Sequence, residues 1–197
     1  MEDGRLTRQL AFLREIDGMK KVARQTLLAD GSRPENDAEH SWHMALCAAL
    51  LTEYADQTVD ISHTLAMALG HDLIEIYAGD TYAYDDAGNA TKAAREKAAA
   101  DRLYAMLPAE QGAYWRGLWE EFDAMETPEA RYANVCDRLQ PLLLNMASGG
   151  KSWMRHGTAV SRVRERTRII GEVSPALGAW VEEQLAQAVR NGWLKDE

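Results

Sequence analysis

The chain has 197 residues, 46% hydrophobic and 27% charged, with 31 acidic against 22 basic side chains and a formal net charge of −9 at pH 7. That length supports one sizeable core, and the acidic balance argues against a nucleic-acid backbone or an anionic membrane surface as the main partner. No run approaches the roughly 18 apolar residues of a membrane span. The first residues, MEDGRLTRQL, lack the apolar centre of a secretory leader, and Cys47 and Cys136 both lie in apolar helical patterns. Reduced, buried thiols in a cytoplasmic protein are therefore expected, rather than a disulfide framework.

In chain order, Leu6, Leu10, Leu13 and Ile16 recur at three- and four-residue spacing and predict an amphipathic helix over residues 5–20. Residues 21–36 lose that period and hold Asp30-Gly31-Ser32 and Pro34, which predicts a long ordered loop. Lys20, Lys21, Arg24 and Arg33, in and beside it, stand out as cations in an acidic chain. A helix is expected over 37–55, starting near Asn36 or Asp37, and another from an Asp60 cap to about Tyr77. Residues 78–90 are turn-rich. Helices follow from Thr91 to about Met106 and from Pro108 to about Met125.

Thr127-Pro128-Glu129 combines a capping residue, proline at the first helical position and an acidic first turn. The helix it opens carries Val135, Leu139, Leu142 and Leu143, and Pro141 inside it should kink or split it. Residues 148–151 read as a loop. Two more helices are expected, an Arg-rich one over about 157–171 and a last one from Ser174-Pro175 to about Arg190. The Arg-rich segment reads as a solvated face, with a nucleotide or protein contact as the alternative. The six tryptophans read as core or interface packing. With no convincing strand alternation, the fold class is all-α.

Chemistry concentrates at ALGHDLIEIYAGD, residues 68–80, where an apolar run meets His71-Asp72 and then Glu75. One helical turn would carry three groups able to bind a cation or move a proton. Burying them unpartnered would cost several kcal/mol each, on the order of the penalty for unpaired polar groups, and a divalent metal would offset it. The alternative is a helix end whose polar groups face water. His40 and His43 lie three apart on one helix, and Asp137 interrupts an apolar one. An ion pair to some arginine is the plainer account of Asp137. Together His40, His71, Asp72 and Asp137, on three helices, would form a nitrogen and oxygen ligand set for a divalent ion.

The order His40, His71-Asp72, Asp137 resembles the pattern of the HD-domain metal-dependent phosphohydrolases. RPENDAEHSWH at 33–43, GHDLIEIYAGD at 70–80, EKAA at 96–99 and TPEARYANVCDRLQPLL at 127–143 resemble their 5′-deoxynucleotidase-like subgroup. The resemblance implies a helical bundle over residues 1–147, with residues 148–197 as a C-terminal helical extension packed on the same domain. It implies one divalent ion (Mn, Co, Zn, Fe or Mg) held by His40, His71, Asp72 and Asp137. It assigns the glutamate after the HD pair to Glu75, a sugar-contacting aspartate to Asp80, and a phosphate-binding arginine to Arg24, with Arg33 as second candidate. Gln25 stands where some members carry a bulky residue that reads the sugar.

The activity so implied is release of phosphate from (deoxy)ribonucleoside 5′-monophosphates, small-molecule substrates, by a protein that is a homodimer as the family habit has it. Glu75, one turn beyond His71, would handle a proton or else orient His71. His43 reads as structural, and the scarcity of further histidines argues for one ion. Two other readings stay open: a non-catalytic regulatory protein that binds a nucleotide or metal, and a hydrolase of a different phosphate ester or a nucleoside triphosphate.

Overall fold

In a computed structural model, which describes residues 3–197, the chain is helical apart from one small hairpin. Helix α1 (Asp3–Glu15) runs into a short 3-10 turn, Ile16–Lys21. Its polar side does much of the docking. Arg8 donates to the carbonyls of Met106 at 3.0 Å and Ala105 at 2.8 Å, and Gln9 bonds Gln111 at 2.8 Å, while Phe12 and Met19 are buried. The leucine stripe that marks the helix in the sequence instead faces outward, with Leu6, Leu10 and Leu13 more than half exposed.

The segment expected to be a loop contains strands β1 (Ala23–Leu27) and β2 (Pro34–Asn36), paired antiparallel with Ala23 opposite Asn36 and Leu27 opposite Pro34. The expectation of no strands is corrected here. ARQTL and PEN are too short and too polar to show alternation, because the hairpin serves the site rather than a two-faced sheet. It leads directly into α2 (Asp37–Leu50), whose first turn is closed by a capping box: Asn36 accepts from the Glu39 amide and Glu39 accepts from the Asn36 amide, both at 3.0 Å. A single 3-10 turn, Thr52–Tyr54, ends this region.

Helix α3 (Ile61–Gly70) starts on Asp60, which accepts from the amides of Ser62 and His63. It does not continue to Tyr77 as expected. Leu73 N bonds Gly70 O and Glu75 N bonds Asp72 O, so tight three-residue turns replace α geometry across His71–Ile74 before the short α4 (Glu75–Ala78). Gly70 allows the ring of Trp115 to pack where a Cβ would sit, 2.8 Å away. Helix α5 (Asp86–Tyr104) begins earlier than Thr91, because Asp85 supplies an aspartate cap to the amide of Gly88. Helix α6 spans Ala109–Ala124.

Helix α7 (Pro128–Ala147) is continuous through Pro141, which neither splits nor ends it. Its neighbours hold it on both sides: Tyr132, Ala133 and Cys136 pack with Met44 and Met67 of α2 and α3, whereas Val135, Leu139 and Leu142 join the C-terminal cluster. Tertiary burial outweighs the one hydrogen bond that the proline removes. The 148–151 loop is shorter than expected and gives way to α8 (Lys151–His156), followed by α9 (Val160–Val173) and α10 (Pro175–Arg190). Both cysteines are buried free thiols, and Trp153 is buried while Trp42 is 61% exposed. Among the described residues no helix is long and apolar enough to cross a membrane.

Candidate metal and phosphate site

Three elements converge on one point. His40 comes from the first turn of α2, His71 and Asp72 from the turn after α3, and Asp137 from the middle of α7. His40 Nε2 lies 3.1 Å from Asp137 Oδ1 and 3.8 Å from Asp72 Oδ2, while His71 Nε2 lies 3.1 Å from Asp72 Oδ2 and 3.8 Å from Asp137 Oδ1. Ligand atoms of His40, His71 and Asp72 all fall within 4.8 Å of one another.

The other ring nitrogens decide what this arrangement fits. His71 Nδ1 donates to the carbonyl of Ala68 at 2.9 Å, and His40 Nδ1 donates to Gln140 Oε1 at 2.8 Å. With Nδ1 the donor on both rings, the Nε2 of a neutral imidazole at either position would turn its lone pair toward carboxylate oxygens, acceptor against acceptor. Burial and the nearby Arg24 push His40 below its ordinary pKa, which keeps it neutral. His71 is opposed by burial but raised by Asp72, the response of an imidazole facing carboxylates with no cation between them. His71 Nε2 has no hydrogen-bond partner although fully buried. A divalent cation would satisfy all four groups, since ligand atoms about 2.0–2.2 Å from one ion sit some 3 Å or more apart. The residues present fit such an ion.

Gln140 ties the histidines together. Its amide nitrogen donates to Glu35 Oε2 at 2.9 Å and to His43 Nδ1 at 3.1 Å, so its oxygen is left for His40. His43 thus supports the site from behind, as its sequence position suggested.

Around Arg24 lies a second concentration of charge. Its guanidinium is 2.9 Å from Asp72 Oδ2, 3.4 Å from Asp37 Oδ1 and 3.6 Å from Glu35 Oε1, and burial is outweighed by the charges of Asp72, Asp80, Glu75 and Asp137, so it stays protonated. One cation among this many carboxylates cannot hold them all ionised. Burial pushes Glu35 and Asp37 up to about 7, and Glu75 is raised well above its ordinary range, first by burial and then by Asp72 and Asp37. Glu75 is 6% exposed and its Oε2 is unpartnered, a setting that favours the protonated carboxyl. Asp80, raised chiefly by burial, stands nearby.

A cavity of about 130 Å³ opens over these groups, with Arg24, Asp80, Tyr82, Lys92, Arg138 and Arg166 among its walls. Arg33 is not one of them: it is exposed and donates to both oxygens of Glu39, at 2.9 and 2.5 Å. Sequence reasoning missed Glu35, Asp37, Gln140, Lys92 and Arg138, and read Arg166 as part of a solvated face. Arg166 Nη2 is in fact 3.6 Å from Asp137 Oδ2, the ion-pair partner left open for that carboxylate. Only Glu35 and Asp37 had a local signal, two acids flanking a cap just before His40.

Residues 16–178 match the model of the HD domain family. A crystal structure described as a "predicted metal-dependent phosphohydrolase" from Magnetospirillum magnetotacticum is 46% identical, covers 98% of this chain and 97% of its own, and superposes with a TM-score of 0.94. The 5′-deoxynucleotidase HDDC2 of Xenopus laevis is 30% identical over 135 residues, 68% of this chain and 66% of its own length, and that of Homo sapiens is 27% identical over the same length. The chain thus spans just under two thirds of these curated relatives. A conserved hypothetical protein from Pyrococcus furiosus, 20% identical with a TM-score of 0.63, shares the fold. With its histidine–aspartate centre in place, the chain belongs to the HD-domain metal-dependent phosphohydrolases.

Proposed function

We propose that this protein removes phosphate from (deoxy)ribonucleoside 5′-monophosphates. His40, His71, Asp72 and Asp137 would hold one divalent ion, Arg24 the phosphate, and Asp80 the sugar. The observation that carries this reading is the pair of imidazole Nε2 atoms, each 3.1 Å from a carboxylate oxygen, with His71, Asp72 and Asp137 lining a cavity that also presents Arg24. When bound, the ion supplies Lewis acidity, lowering the pKa of a bound water and neutralising a phosphate oxygen. Arg24 is steered by Asp72 and Asp37 and can offer its remaining N–H donors to a phosphate. Glu75, buried and pushed above its ordinary pKa first by burial, would either protonate the departing sugar oxygen or position the attacking water. Arg33 is left out of this reading because Glu39 already engages it at the surface.

Tyr82, Tyr84 and Trp153 line the same cavity and give a nucleobase apolar surface to lie on. The relatives named 5′-deoxynucleotidase support the choice of substrate. Free buried thiols are consistent with a reduced, cytoplasmic setting. The outward stripes Leu6–Leu10–Leu13 and Trp42–Leu46–Leu50 give a homodimer apolar area to cover, and light scattering on the purified chain should read twice the monomer mass.

The decisive experiment measures phosphate release from deoxy- and ribonucleoside 5′-monophosphates after Mn, Co, Mg or Zn is added to metal-stripped protein, beside an Asp72→Ala control. Metal-dependent release that the control lacks is expected. No release from any of them by folded, metal-loaded protein would overturn the reading in favour of a different phosphate ester or a binding role.

A further inference from the structure

The cavity over the metal ligands, about 130 Å³, is smaller than the roughly 300–1,000 Å³ that enclose a small-molecule ligand, so a nucleotide held there by its phosphate must extend beyond it. Two depressions adjoin it. One, between α7 and α9, is walled largely by arginines that Glu172 and Asp137 already engage. The other, of about 460 Å³, shares Gln25, Tyr82 and Tyr84 with the catalytic cavity and adds His156 and Thr158. Three rings line it, against Tyr84 alone in the first. Tyr82 lines both the cavity and this depression, its ring centre 4.3 Å from that of His156 at 35° and 5.2 Å from that of Tyr84 at 83°.

Distant parts of the chain fix this group. His156 ends α8, and its Nε2 donates to Gln25 Oε1 at 3.2 Å, while Ser152 Oγ on the same helix donates to the Gln25 carbonyl at 2.8 Å. The hydroxyls of Tyr82 and Thr158 are hydrogen-bonded at 3.3 Å. Thr158 is held in turn by the last residues of the chain: its carbonyl accepts from Lys195 N at 3.0 Å, and Val160 N donates to Lys195 O at 2.9 Å. With its oxygen taken by His156, the Gln25 amide keeps N–H donors that no protein group accepts among the described residues. Gln25 follows Arg24 on β1, about 3.3 Å along the strand from the arginine assigned to the phosphate. Spare donors beside aromatic faces match the chemistry of a nucleobase, whose ring stacks on such faces and whose edges carry acceptors.

We propose that Gln25, Tyr82 and His156 form the base-recognition end of the site, the Tyr82–His156 pair giving the surface on which the nucleobase stacks and Gln25 donating to an acceptor on its edge. The helices after α7 thus complete the substrate site as well as covering the bundle. Recognition of a base here rests on the nucleotide reading of the adjoining cavity and deepens it, since these residues tell a nucleotide from a sugar phosphate that lacks a base.

Calorimetry on the metal-stripped full chain, where nothing is hydrolysed, gives the affinities for deoxyadenosine 5′-monophosphate and for 2-deoxyribose 5-phosphate. The wild type should bind the nucleotide about ten-fold or more tightly than the base-free compound, the scale of one stacked base. In His156→Ala and in Gln25→Ala that preference should shrink by about three-fold or more. Should a variant melt below wild type, the ratio of the two affinities still reads the base alone, because both ligands share the sugar phosphate. No preference in the wild type, or a preference that both variants keep in full, overturns the assignment. Phosphate release is measured separately with metal restored. Release from both compounds with no preference in binding would remove the base site and leave the phosphohydrolase, and a base preference without release would do the reverse.

Discussion

Gln140 carries no charge, yet its amide oxygen accepts from His40 while its nitrogen donates to Glu35 and His43. Replacing it by leucine would remove the acceptor that orients His40 Nδ1 and take the hydrogen bond from Glu35 Oε2. Metal affinity, measured by chelator competition, should fall about 10- to 100-fold in Gln140→Leu, the usual cost of losing a group that orients a ligand. Glu75 makes a different contribution. Glu75→Gln keeps the shape but cannot transfer a proton, so kcat should drop by roughly 10²- to 10⁴-fold with metal affinity little changed. Retention of near-normal turnover would remove Glu75 from proton transfer. Histidines and acids in an apolar run are readable in a sequence because so few residue types can do their chemistry. Gln140 and Arg166 are not, since a polar residue on a helix face has no spacing that separates an inward from an outward role.

At the scale of elements, the hairpin and the break after α3 matter most for the site. The hairpin sets Arg24 beside Asp72, and the turn at His71–Ile74 brings Glu75 to the cavity from a separate short helix rather than along one continuous face. Helix starts at Asn36, Asp60, Thr127 and Ser174 were legible because a cap involves only residues within one turn. Arg166 reaches Asp137 only because α9 lies against α7, held there in turn by α10. That last pairing depends on small residues: a Cβ on Gly178 would sit 2.5 Å from Gly171 Cα, against backbone that cannot yield. Gly178→Ala should cost about 1–3 kcal/mol by overpacking. The loss should appear as a lower melting temperature in a thermal scan.

For the whole molecule, stability should depend on pH in a way set by the buried acids. In the metal-free protein Glu35 and Asp37 have pKa values near 7, above those of an unfolded chain, and Glu75 and His71 are shifted the same way. Groups raised on folding contribute stability that is complete below the unfolded pKa and is lost as pH rises through the folded one. His40, lowered by burial, works in the opposite sense below its ordinary value, and Asp72 and Asp137 are lowered too but lose their contribution only in strong acid. The metal-stripped protein should therefore melt at a lower temperature at pH 8 than at pH 6 in calorimetry. A saturating divalent ion should raise the melting point and flatten that slope, with about 2.7 kcal/mol gained at a hundred times the dissociation constant.

Local chemistry accounts for what could be read directly. The helical class, the caps and the order of His40, His71-Asp72 and Asp137 each depend on residue types and near-neighbour spacing. The face of α1 that is buried, the pairing of β1 with β2 and the arginines that enter the cavity are set by something else. They depend on which distant surfaces meet, as when α1 docks through Arg8 and Gln9 and leaves its leucines outside. Hydrophobic burial is non-directional, so periodicity marks an apolar stripe without saying what covers it; only the packed chain selects the partner.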